Sequence, residues 1–193
     1  SFTPQPRVPP AIAPLAGAVP VDAEGEAPEI PRYETGRDAG STADVDFWTT
    51  KPVREVVKSH LNYVVADTRQ WEQAAAYHID GHPRVAAFVK NQSLGFTIPY
   101  LHDGQSHDYI PDFVVRLTDG VRLILETKGY DELEQVKAQA AQRWVDAVNA
   151  DGSFGEWRYA VTHEMAAIPR LLELLDLAGA PAVVEQALSP ASR

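Results

Sequence analysis

The sequence has no cysteine and a single methionine, Met165. Without cysteine there is no disulfide framework, no thiolate zinc site, no iron–sulfur cluster and no cysteine nucleophile. Basic surplus is lacking too: 17 Lys and Arg stand against 27 Asp and Glu, a formal net charge of −10. That argues against a domain that holds nucleic acid by bulk charge alone, since such domains are usually basic. It does not exclude an enzyme that acts on nucleic acid through a metal held by carboxylates. No stretch reaches the ~18 apolar residues of a bilayer span, and no basic segment leads into an apolar core as a secretory signal would. A cytoplasmic chain with no membrane partner is the expectation. No G-x-x-x-x-G-K-[ST] loop is present, so ATP hydrolysis is not expected in this chain. Because Met165 is the only methionine, Ser1 is read as a trimmed end or as the start of a piece of a larger protein.

Eight of the 15 prolines fall within residues 1–31, among Ala, Gly and Glu and without apolar periodicity. Proline fixes φ and removes backbone donors, so residues 1–43 read as a linker or disordered arm. Residues 44–165 read as a globular core, and 166–193 as a helical extension and tail. Charge follows these divisions. Residues 1–40 carry a net −3, 41–80 a net −2, 81–130 are neutral, and 131–193 carry −5.

Within the core, residues 53–65 are apolar with mixed period and read as strand or short helix. Asp67 then caps a helix, with Gln70 completing a capping box. That helix runs to about Ile79, and Trp71, Ala74, Ala75 and His78 form its apolar stripe. Residues 84–90 and 94–100 read as strands. Residues 109–117 and 121–127 read as a hairpin around Thr118-Asp119-Gly120. His102, Asp103, His107 and Asp108 fall in a polar loop before it. Asp131 opens a second helix whose stripe is Leu133, Val136, Ala140, Trp144, Ala147 and Val148. Residues 156–162 read as a strand and 169–178 as a helix. Trp71, Trp144 and Trp157 are expected in the core. The order gives a mixed α/β sheet with helices on its faces.

The chemistry-bearing constellation is Pro111-Asp112 on one hairpin strand and Glu126-Thr127-Lys128 on the other. Strand side chains alternate, so Glu126 and Lys128 share a face. A carboxylate and an ammonium so placed at a strand end can hold a cation and a water side by side. Two registers are open. A three-residue loop at 118–120 pairs Asp112 with Glu126, ~4.5–5.5 Å apart at Cβ, where a divalent cation would relieve their repulsion. A two-residue turn at Asp119-Gly120 pairs Asp112 with Thr127 and sends the two carboxylates to opposite faces. The plainer account is an exposed hairpin with solvated charges. Lys90-Asn91-Gln92 ends a strand and is either a phosphate contact or a polar terminus. Lys137, on the helix after the motif, is a candidate phosphate contact on an otherwise solvated face. His78 and His82 have zinc-like spacing, but Gly81 intervenes and no third ligand is evident.

Through these residues the sequence resembles the PD-(D/E)xK nuclease superfamily. More narrowly it resembles the C-terminal endonuclease domain of the restriction subunit of type III restriction–modification enzymes. The resemblance runs through SHLNYVVADTRQWEQ (59–73), VAAFVKNQSLGFTIPY (85–100), HDYIPDFVVRL (107–117), LILETKGYD (123–131) and KAQAAQRWVDAVNADGSFGEWRYAV (137–161). It implies a restriction-endonuclease-like fold, a mixed central sheet flanked by helices in α-β-β-β-α-β order. It implies that Asp112 and Glu126 bind Mg²⁺, helped by the backbone carbonyl of Thr127. Lys128 would orient or deprotonate the attacking water, and the carboxylates beside it favour its charged form, so a positioning role is preferred. Glu72 would supply an extra metal-site carboxylate, while Lys90, Asn91 and Lys137 would touch DNA. The implied activity is Mg²⁺-dependent hydrolysis of double-stranded DNA. Its partners would be a superfamily 2 helicase motor on the same or a partner chain and a modification methyltransferase subunit. A non-cleaving DNA- or partner-binding module of the same fold, or a nuclease on RNA or branched DNA, are the alternatives.

Overall fold

The computed structural model describes residues 48–65, 71–92, 94–127 and 133–175. Eight strands and three helices occur among them. Strands β1 (Val53–Glu55) and β2 (Tyr63–Val65) form a small antiparallel ribbon where strand or helix was expected, with Val53 opposite Val65. Helix α1 (Trp71–Gly81) follows, then β3 (Val85–Lys90). Strands β4 (Ile98–His102) and β5 (Gln105–Tyr109) form a hairpin of their own. Strands β6 (Phe113–Leu117) and β7 (Arg122–Thr127), helix α2 (Glu134–Asp151), strand β8 (Trp157–Thr162) and helix α3 (Ile168–Leu174) complete the order. The central sheet runs β3-β6-β7-β8, with β6 antiparallel to both neighbours and β7 parallel to β8. The protein is therefore mixed α/β. A parallel neighbour requires a crossover, and α2 supplies it.

The sheet is buried on both faces. Phe88, Phe113, Val115, Leu123 and Leu125 point into one apolar cluster with Ala75, Ala76 and Ile79 of α1 and Leu171 and Leu172 of α3. Val89, Val114, Ile124 and Tyr159 point into the other, with Trp144, Val145 and Val148 of α2 and Phe96, Ile98, Tyr100 and Tyr109 around the β4–β5 hairpin. Each fully buried side chain of this size contributes roughly 1.5–3 kcal/mol relative to its exposed state. The alternation along β7 is the point that matters for the site: odd positions Leu123 and Leu125 face α1, and Ile124 faces α2.

Three readings need correction. The buried stripe of α1 is Ala75, Ala76 and Ile79, not the face centred on Trp71. Trp71 is 42% exposed, because two small alanines let the helix backbone sit close to the sheet and leave the bulky indole at the rim. Trp144 and Trp157 are core as expected. Residues 109–117 are not one strand: β5 ends at Tyr109, and β6 begins at Phe113 after a break at Ile110-Pro111-Asp112. Proline cannot donate to a ladder, so the chain leaves one sheet and enters another there. Residues 102–108 are not a loop but the turn and second strand of the β4–β5 hairpin. Asp103 (φ 51°) and Gly104 (φ 72°) are both left-handed, the two-residue turn that an Asp-Gly pair favours.

Candidate metal-binding site

The connection between β6 and β7 decides the register. The N–H of Leu117 donates to the Val121 carbonyl at 2.8 Å, and the N–H of Gly120 donates to the Leu117 carbonyl at 3.1 Å. Gly120 has φ 95°, a conformation that costs glycine nothing. Asp119 closes the turn by accepting from the N–H of Val121 at 3.0 Å. The loop is thus three residues long, and the ladder pairs Arg116 with Arg122 through Phe113 with Leu125. One step further, Asp112 stands opposite Glu126.

The two carboxylates converge on the same short piece of backbone. Glu126 Oε2 accepts from the N–H of Asp112 at 3.1 Å and from the hydroxyl of Tyr109 at 2.5 Å. Asp112 Oδ2 accepts from the N–H of Thr127 at 2.8 Å and from its hydroxyl at 2.6 Å. The arrangement is reciprocal: each carboxylate grips an N–H of the opposing strand plus one hydroxyl. Glu126 is only 5% exposed, on the α2 side of the sheet with Ile124. A buried carboxylate is costly unless its oxygens receive donors, and two are in place here. Tyr109 is buried, and so is Tyr159. Burial, with the charge of Glu126 adding to it, pushes the Tyr109 hydroxyl well above its ordinary pKa. Burial pushes Tyr159 up as well. Both phenols keep their protons. Tyr109 spends its one proton on Glu126.

The remaining sequence-predicted residues divide between the two faces. Asn91 continues the β3–β6 register opposite Asp112, and its N–H donates to the Asp112 carbonyl at 2.8 Å. The row Asn91, Asp112, Glu126 therefore crosses three adjacent strands at one end of the sheet. Asn91 is 8% exposed, and its amide nitrogen donates to the Phe96 carbonyl at 2.7 Å, which fixes which way the amide points. Its side chain is buried. Lys90 and Glu72 lie on the α1 side, their charged atoms 3.7 Å apart, and Lys90 Nζ also donates to the Val65 carbonyl at 2.9 Å. Glu72 is thus an ion-pair partner of Lys90 on the sheet face opposite Glu126. Lys137 is half-buried on α2. Thr127 engages Asp112 through its N–H and hydroxyl, groups that the expected carbonyl role had not included. Lys128 lies outside the described residues, as do Asp67, Gln70 and Asp131. His82 Nδ1 accepts from the N–H of Arg84 at 3.3 Å, a local contact with no metal-like geometry. No group of three or more His, Asp or Glu side chains suited to a metal occurs among the described residues. No helix among them is long and apolar enough to cross a membrane.

Comparison with protein-family models, with curated proteins and with solved structures gives no match to this chain. The site must therefore be read from its own geometry.

Whether a divalent cation suits this geometry can be judged from the donors. The Asn91 side-chain oxygen is buried with no hydrogen-bond partner among the described residues. An orphaned acceptor costs roughly 1–3 kcal/mol, which a metal-bound water would offset. The side-chain donors Asp112, Glu126 and Asn91 are all oxygen. Hard cations such as Mg²⁺ take oxygen ligands and keep several waters, so a small protein set is sufficient. The residues fit.

Tyr109 and Tyr159 were not among the residues singled out from the sequence. Both look like ordinary apolar-alternation positions, and only the break at Pro111 brings Tyr109 back over Glu126. A tyrosine three residues before an aspartate has no motif value by itself.

Proposed function

We propose that this chain is a Mg²⁺-dependent nuclease of the PD-(D/E)xK type, acting on DNA phosphodiester bonds as the nuclease part of a type III restriction-like, helicase-linked system. The observation that carries the reading is the strand register, which sets Asp112 opposite Glu126 at the end of two central strands. Asp112 and Glu126 would hold the cation. Bound there, it would acidify a water and neutralise charge developing on the phosphate. Glu126 would contribute a fixed anion on a rigid strand, and Asp112 one from the adjoining bend. Lys128, two residues beyond Glu126, would steady the attacking water and the developing charge. The restriction-endonuclease-like assignment of the fold belongs to the same reading: the element order from α1 through β3, β6, β7, α2 and β8 supports it. Hydrolysis would leave a 5′-phosphate and a 3′-hydroxyl, as the resemblance implies.

The test is plasmid cleavage in Mg²⁺ by the wild type, Asp112→Ala and Lys128→Ala. The expected result is nicking or linearisation by the wild type alone. Equal cleavage by all three would remove these residues from the chemistry. A second reading, a non-cleaving DNA- or partner-binding module, is favoured by the pairing of Glu72 with Lys90, which leaves the site two carboxylates instead of three. Calorimetric titration with Mn²⁺ separates the two. Retained DNA binding with no metal uptake below millimolar concentrations would support the module.

A further inference from the structure

The two acidic side chains share a feature that metal binding alone does not require. Each is held by a neutral hydroxyl in addition to a backbone N–H, Asp112 by Thr127 and Glu126 by Tyr109. We propose that the hydroxyls of Thr127 and Tyr109 are positioning groups that clamp one oxygen of each carboxylate, fixing the pair in the geometry that receives a divalent cation. The inference rests on the metal-site reading above and deepens it.

Two directly opposed carboxylates repel, and free rotation about their side-chain bonds would let them swing apart. A cation would then have to bring them together and immobilise them at the cost of its own binding. Donors that hold the pair beforehand remove that cost. The donors must also be neutral. A Lys or Arg in either place would satisfy the carboxylate equally well but cancel the negative charge that attracts the cation. Hydroxyls supply direction without charge. The geometry fits this division of labour: both Thr127 bonds fall on Asp112 Oδ2, and the Tyr109 and Asp112 N–H bonds both fall on Glu126 Oε2. These four bonds thus fall on a single oxygen of each group. Tyr109 is itself buried in the core, so the Glu126 clamp has a rigid mount.

The experiment measures Mn²⁺ affinity by calorimetry on the 193-residue chain and on Thr127→Val, Thr127→Ser and Tyr109→Phe, with circular dichroism to confirm folding. Valine keeps the shape of threonine and loses the hydroxyl; serine keeps the hydroxyl. Removing a group that orients a metal ligand typically weakens metal affinity by about 10–100-fold. A loss of about tenfold or more is therefore expected in Thr127→Val and Tyr109→Phe, with Thr127→Ser close to wild type. Should Thr127→Val not fold, Thr127→Ala takes its place. Equal affinities of the valine and serine variants, or an unaltered Tyr109→Phe, would overturn the clamp. A wild type that takes up no Mn²⁺ would sink the metal reading instead. The clamp is then judged by urea unfolding of Thr127→Val with Asp112→Asn, and of Tyr109→Phe with Glu126→Gln. Strictly additive losses in both pairs would show that the hydroxyls do not act through the carboxylates and would overturn it. Non-additive losses would support it.

Discussion

Replacing Asp112 by asparagine separates what this side chain does for the fold from what it does for a cation. In the fold, its Oδ2 accepts two hydrogen bonds from Thr127, and an asparagine oxygen can accept both. The bonds lose their charge assistance, a cost of about 1 kcal/mol apiece. Against this stands relief of the repulsion with Glu126. Two unit charges roughly 5 Å apart at an effective dielectric of about 20–40 repel by about 1.7–3.3 kcal/mol, with the lower figure suiting a half-exposed group. The terms nearly cancel, so metal-free Asp112→Asn should lie within about 1 kcal/mol of wild type. With metal the balance changes. A cation at 100 times its dissociation constant stabilises the wild type by about 2.7 kcal/mol. At about 2–4 °C per kcal/mol for a chain of this size, that is a rise of roughly 5–11 °C in Tm. The assay is thermal melting of both proteins in EDTA and in MnCl₂. The expected pattern is coincident melts in EDTA and a metal-induced rise in the wild type only. A loss of more than about 3 kcal/mol in EDTA, or an equal metal-induced rise in both, would refute the reasoning.

The His60 ring has both nitrogens buried with no partner among the described residues, and burial lowers its pKa; His82 is lowered chiefly by burial too. A histidine kept neutral in the fold but free to protonate when unfolded destabilises the fold as pH falls through about 6.5. Tm should therefore drop between pH 7.5 and 5.5, and His60→Phe should flatten that drop; an unchanged slope counts against the account. Lys90→Met should destabilise the chain by about 1–3 kcal/mol in urea unfolding, because it leaves the largely buried Glu72 carboxylate without this cation. If Lys90 were instead a phosphate contact, the variant would unfold like wild type and bind DNA with a shallower salt dependence. Phe96→Ala should cost about 3–5 kcal/mol, since the ring is buried 5.3 Å from Trp144 and 6.4 Å from Trp157 at their centroids. A loss under about 1 kcal/mol in the same assay would show that the β4–β5 side of the core is loosely packed.

Legibility differed by element for definite reasons. The β6–β7 hairpin was readable because Thr118-Asp119-Gly120 carries turn chemistry that few other conformations use. The α2 stripe was readable because Ala140, Trp144, Ala147 and Val148 repeat at helical period, and Gly152 ends the helix. The face of α1 was not, because hydrophobic size and burial part company there. Alanines give little signal, while Trp71 and His78 give a strong one for the wrong face. The β4–β5 hairpin was missed because β5, Gln105–Tyr109, is polar and exposed except at Tyr109. Its only announcement was Asp103-Gly104, read as part of a loop. That strand is held by its partner and not by a buried face, so apolar alternation could not reveal it.

The candidate site was legible only as a choice between two registers, and the difference between them lies in one residue of loop length. Side-chain facing has period two along a strand, so a single-residue slip would have sent Asp112 and Glu126 to opposite faces. Gly120, left-handed at φ 95°, takes the extra residue and sets the pair opposed. Beyond that point sequence reasoning had no purchase. Which oxygen each carboxylate commits, and to which hydroxyl, depends on Pro111 ending one sheet and swinging Tyr109 over Glu126. The same geometry bears on the net charge of −10. Residues 81–130 are neutral with both carboxylates counted. Of the cations assigned to DNA from the sequence, Lys90 is turned toward Glu72 and the Val65 carbonyl. Lys90 is then engaged within the fold, and Lys137 is half-buried. On the nuclease reading, a partner would deliver the duplex and this chain would supply the carboxylates.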